Sequence, residues 1–140
     1  MKKIKHFRLS EFINSVTAKR QGIDNTPSFE VVDNLNRLAG YLDSIREKYG
    51  KPIFISSGYR CHLLNQAVGG ASNSQHLKGL AADLICADME KLLSIIRETG
   101  GFDQLITEHN KGSKSYWIHV SVAPVFGKPR NQVIINLEKK

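Results

Sequence analysis

The chain has 140 residues, 41% of them hydrophobic and 24% charged, with a net charge of +7. This is the composition of an ordinary soluble globular protein, and one domain spanning 1–140 can bury about two-thirds of its unfolded surface without staples. No apolar run approaches the ~20 residues that a membrane span needs, so a membrane role is not expected.

The start, MKKIKHFRLSEF, is basic but has no apolar core behind it, so it does not read as a signal peptide. As encoded, the chain is expected in the cytoplasm, or to leave by a route that needs no cleaved signal. The two cysteines, Cys61 and Cys86, are then expected as reduced thiols, and Cys61 as a small semi-buried residue. A sequence pI near 9.5 suits an anionic partner, either nucleic acid or an acidic polymer such as cell wall. Part of that charge is terminal, on Lys2, Lys3, Lys5, Lys139 and Lys140, where a solvated surface explains it equally well.

In chain order, Ser10 is the expected cap of EFINSVTAKRQ, where Phe12, Ile13 and Val16 make a short apolar stripe that Gly22 stops. After the turn IDNTPS comes the clearest helix. Thr26 can cap it, Pro27 fits its first position, and Val31, Val32, Leu35, Leu38, Leu42 and Ile45 recur at three- and four-residue spacing. Arg46 and Lys48 favour its carboxyl end and Gly50 closes it. IFIS then reads as a short strand, CHLLNQAV as a short helix, ASNSQHLKG as a loop and LAADLICA as a buried strand. Asp88 caps a second amphipathic helix, MEKLLSIIRET, stopped by Gly100 and Gly101. FDQLITE and YWIHVSV form a hairpin across HNKGSKS, and NQVIINLE is a last strand at a sheet edge. Helices first and a hairpin-rich end predict an α+β fold with a small, mainly antiparallel sheet.

Chemistry concentrates in Ser56 to Asp83, a stretch rich in glycine that also carries Arg60, Asn65, Ser74 and His76. His76 and Asp83 are placed for a loop leading into a strand. In YWIHVSV the period of two puts Trp117, His119 and Ser121 on one face and Ile118, Val120 and Val122 on the other, plainly the core. Asp83 interrupts an apolar run, and a buried carboxylate must meet a cation, donors or water. A metal shared with His76 and His119 would satisfy it, giving a three-ligand site with a fourth position for water. Arg60 or a set of backbone amides would satisfy it as well.

The ordered set SSGYR, Asn65, VGG, SQHLKGLAAD and WIHVS resembles the zinc D-Ala-D-Ala carboxypeptidases, part of the wider group with the Hedgehog/DD-peptidase fold that includes phage endolysin peptidases. The resemblance runs over Ser56 to Ser121. It implies a zinc ion, one per chain, on His76, Asp83 and His119. It further implies a peptidoglycan peptide as substrate, cut by carboxypeptidase or endopeptidase action through a zinc-activated water. Arg60 would bind a terminal carboxylate or the carbonyl near the cut, and its guanidinium suits that bidentate contact. Ser74 would hydrogen-bond substrate or hold the loop, and Trp117 would stand in the site. Many members carry the catalytic carboxylate three residues before the last zinc histidine, where this chain has Tyr116. Glu108, at the end of FDQLITE, is then the expected general base, with Asp103 and Glu98 as weaker substitutes and His62 and His109 as surface residues. Such a chain would act on the wall after phage lysis or signal-independent release, as a monomer. The rival within the same fold is a zinc-containing wall-binding module with weak catalysis. Nucleic-acid binding would need a basic stripe interleaved with aromatics, and none is present, so no nucleic-acid partner is expected.

Overall fold

The computed structural model describes residues 3–139; Lys2 and Lys140, two of the terminal charges, lie outside the described residues together with Met1. The observed order is a 3₁₀ turn (Leu9–Phe12), α1 (Val16–Gln21), α2 (Phe29–Tyr49), β1 (Phe54–Ser57) and α3 (His62–Ala67). A second 3₁₀ turn (Gln75–Lys78), β2 (Ala81–Ile85), α4 (Met89–Thr99), β3 (Gln104–Asn110), β4 (Tyr116–Ser121) and β5 (Gln132–Lys139) follow. The five strands form one sheet in the order β1-β2-β4-β3-β5. Every pairing is antiparallel except β3 with β5, which is parallel. The α+β expectation holds, and β5 is indeed an edge strand. Among the described residues, no helix is long and apolar enough to cross a membrane.

Two caps differ from those expected. Thr26 gives both its hydroxyl and its amide to Asp24 Oδ1, at 2.6 and 3.0 Å, so it closes a local turn instead of capping α2. Ser28 takes the role, accepting from Val31 N at 3.3 Å. Ser10 likewise sits inside the first 3₁₀ turn, and Ser15 caps α1 through Ala18 N at 3.1 Å. Asp88 caps α4 through Lys91 N as expected.

The sheet has two faces with different tasks. Leu35, Leu38, Leu42 and Ile45 of α2 and Leu92 and Ile96 of α4 pack against Ala82, Leu84, Leu105, Ile118 and Val120. Those strand residues lie at alternate positions, so the intervening Asp83, His119, Ile106 and Glu108 are turned to the opposite face. That second face is walled by the segment from Gly58 to Gly79. Backbone bonds tie this wall down: Tyr59 N donates to Phe12 O at 2.6 Å and Arg60 N to His76 O at 3.1 Å.

Gly79 ends the His76 turn in the left-handed region at φ 72°, and a Cβ there would lie 2.8 Å from Val31 Cγ1 and 2.9 Å from Val31 O on α2. Gly112, in the hairpin, shares the left-handed φ at 77° but has open space around it. Gly112→Ala should therefore cost only the backbone penalty of about 1–2 kcal/mol, and Gly79→Ala clearly more. Denaturant midpoints of the two variants check this; equal losses would remove the packing role of Gly79.

Candidate metal centre

Strand register brings the first two groups together. Asp83 on β2 is the direct antiparallel partner of His119 on β4, so both side chains rise from the same face. His119 Nδ1 lies 3.3 Å from Asp83 Oδ1. His76 comes from the 3₁₀ turn just before β2, and its Nε2 is also 3.3 Å from Asp83 Oδ1. The two imidazoles meet edge to face, with centroids 5.2 Å apart. The three donor atoms lie within 4.8 Å of one another, and the side chains are only 3%, 11% and 9% exposed for His76, Asp83 and His119.

The hydrogen bonds around the cluster leave its middle without a proton. His76 Nδ1 sits 2.7 Å from the Gly58 carbonyl, an acceptor, so that nitrogen donates and Nε2 faces inward with its lone pair. His119 Nε2 is 3.1 Å from Gln75 Oε1, which likewise leaves Nδ1 as the inward acceptor. Asp83 Oδ1 is buried and, among the described residues, has no hydrogen-bond partner. Burial by itself would raise the Asp83 carboxyl; charged imidazolium rings donating to it would hold it well below the usual carboxylate range, and with neutral rings that task passes to a bound cation. Two nitrogen lone pairs and an orphaned carboxylate oxygen thus converge on one point, a donor set that fits a divalent cation such as zinc.

A cleft of about 340 Å³ opens over this cluster, bordered by Arg60, Ser74, Gln104, Ile106, Glu108 and Arg130 among others. Ser74 caps the His76 turn, accepting from His76 N at 3.2 Å, and Arg60 Nη2 reaches its hydroxyl at 3.5 Å. Arg60 is only 7% exposed and, among the described residues, its Nε has no partner. Burial lowers the guanidinium from its ordinary value, while the charges of Asp83 and Glu108 oppose the shift, and it stays a cation. A buried cation with an unfilled donor on a cleft wall has the chemistry to receive an anionic or carbonyl group.

Glu108 lines the cleft from β3, directly across from Trp117 and on the His119 face. Trp117 itself stands beside the cleft lining, with Lys139 Nζ 5.7 Å from its ring centroid. Tyr116, three before His119, falls on the other side of β4 and packs on the core. Asp103 is already held by Arg130, with Nε on Oδ1 at 2.9 Å and Nη2 on Oδ2 at 2.7 Å. Glu98 borders a separate depression with Lys48 and Thr99. His62 is exposed and His109 half-buried. Cys61 and Cys86 are both free and half-buried.

Gln75 and Arg130 join the site without a local sequence signal, and Lys139, expected only as a terminal charge, lines the cleft. Gln75 lies between Ser74 and His76, but its partners, Asp103 and His119, are 28 and 44 residues away. Arg130 reaches Asp103 from 27 residues away, so no local pattern could announce the pair.

The comparisons agree with this geometry. Over 44 residues the chain is 50% identical to the zinc D-Ala-D-Ala carboxypeptidase of Streptomyces albus G, a stretch covering 31% of this chain and 17% of that protein. The match is thus to a fraction of a longer relative. The family model described as peptidase M15 covers residues 5–121, which includes all three converging donors. The chain belongs to the peptidase M15 family.

Proposed function

We propose that the chain is a zinc metallopeptidase, folded as one domain and acting as a monomer, that hydrolyses an amide bond in peptidoglycan peptides. The observation that carries this is the buried convergence of His76, Asp83 and His119, with an orphaned Asp83 oxygen, at the floor of a cleft. Similarity to the zinc D-Ala-D-Ala carboxypeptidase of Streptomyces albus G supports zinc as the metal and a peptide of the D-Ala-D-Ala kind as the substrate. His76, Asp83 and His119 would hold the ion. Bound there, zinc supplies Lewis acidity, polarising a scissile carbonyl and lowering the pKa of a water towards ~7.

The remaining work falls to the protein's own groups. The Glu108 carboxylate takes the proton of the attacking water and later delivers it to the leaving amine. Arg60 binds the anionic end of the peptide from the wall, with Ser74 holding both the turn and the guanidinium. Trp117, directly across from Glu108 on the same face, forms the rim against which a longer peptide lies. Incubating the zinc-loaded protein with wall peptides should yield a new amine and a new carboxylate by mass spectrometry. A chelator should stop the reaction and zinc restore it. No cleavage of any wall peptide by protein that holds zinc would instead favour the weakly catalytic binding module.

Arg60→Lys keeps a charge but loses the planar fork. If Arg60 grips a terminal carboxylate, KM should rise by about 10-fold or more with kcat little changed, since hydrogen bonds between charged groups are worth ~1.5–3 kcal/mol. A peptide amidated at its carboxyl end should show no such penalty. A loss confined to kcat places Arg60 on the scissile carbonyl, and unchanged kinetics on both peptides would remove it from the site.

A further inference from the structure

Each imidazole can offer the centre a lone pair only if its proton sits on the other nitrogen. For His76 the backbone decides, because the Gly58 carbonyl can only accept. His119 has a less committed partner. Its Nε2 meets the side-chain amide of Gln75, and an amide can present either its oxygen or its NH2. With the oxygen forward, His119 keeps its proton on Nε2 and points a lone pair inward. With the NH2 forward, the proton must move to Nδ1, 3.3 Å from Asp83 Oδ1, and the site would satisfy itself without a metal.

The far end of the amide settles which way it faces. Gln75 Nε2 donates to Asp103 Oδ2 at 2.8 Å. Asp103 is buried, and Arg130 gives it a bidentate pair and a backbone N–H at 3.2 Å. An ionised carboxylate can only accept, so the amide nitrogen must face Asp103 and the amide oxygen must face His119.

We propose that Gln75, Asp103 and Arg130 form a hydrogen-bond relay whose polarity fixes His119 as the Nε2–H tautomer and so keeps the centre receptive to a metal. In this role all three are positioning residues, acting through His119. The relay ties the segment leading into β5, the sheet edge farthest from β1 in strand order, to a ligand on β4. It rests on the metal-centre reading, which zinc binding by the parent chain tests on its own.

Asp103→Asn is nearly isosteric, but it lets the introduced amide turn its oxygen to Arg130 and its NH2 to Gln75. Gln75 then reverses and drives the proton of His119 inward. Zinc affinity, measured by competition with a chelator, should fall about 10- to 100-fold, the usual range for partners that orient a ligand. Nitrogen-detected NMR of the metal-free protein at alkaline pH should show His119 as Nε2–H in the parent and Nδ1–H in the variant. Adding Gln75→Glu to Asp103→Asn restores an acceptor-only group facing His119, and affinity should recover. A double variant no better than Asp103→Asn would mean that the trio is mere scaffold. A parent with Nδ1–H, readable even if Asp103→Asn does not fold, would overturn the relay, as would unchanged affinity and tautomer in Asp103→Asn.

Discussion

His76→Ala should strip the protein of its metal. Purified without added metal, the parent is expected to carry about one zinc per chain and the variant almost none, measured by atomic emission against protein concentration. The size of the effect follows from the geometry. The ion would sit on three protein donors, so losing one leaves a two-ligand site, and Asp83 keeps only His119 at 3.3 Å as an inward neighbour. His62→Ala is the matched control, since that imidazole is exposed on α3 and outside the cluster. It should keep the full zinc content. No metal in the parent even after zinc is supplied would return His76, Asp83 and His119 to a structural role, and the peptidase proposal would fall with them.

How much of this was legible depends on the range of the interactions. The face rule in YWIHVSV separates His119 from Ile118 and Val120 because a strand alternates whatever surrounds it, and β4 obeys it. Asp83 stood out because a carboxylate inside LAADLICA has to answer to a partner, and β2 places it opposite His119. Local rules also located α2 and α4 by their apolar spacing. They failed where a side chain had a competing use, as when Asp24 took the hydroxyl of Thr26 and left the cap to Ser28. They were silent where the partner was remote. Asn25 read as part of a turn. It in fact bonds Ile13 O and Tyr59 O through Nδ2 and receives Cys61 N on Oδ1, clamping the chain on both sides of Arg60. The parallel pairing of β5 with β3 and the grip of Arg130 on Asp103 are of the same kind. Each needs two segments to meet before either residue has a reason to be there.

Glu108→Gln should lower turnover by about 10²–10⁴-fold while zinc content stays at the parent's level, because the substitution removes a proton acceptor and leaves the ligands alone. Three features of the fold favour Glu108 for this task over its rivals. It stands on the His119 face of the sheet, directly opposite Trp117, and borders the cleft. Asp103 is engaged by Arg130 and Gln75, and a carboxylate whose oxygens already accept from those groups is a poor base. Position 116 holds a tyrosine packed on the core, so a carboxylate could not work from there without reversing the strand's parity. Glutamine keeps the size and hydrogen-bonding reach of the side chain, so KM should move little. Single-turnover rates then separate chemistry from binding. A variant that retains both zinc and turnover would show that Glu108 is a solvated strand residue. A wall-binding role for a zinc site with weak catalysis would then account better for a cleft that unites a buried guanidinium with three converging donors.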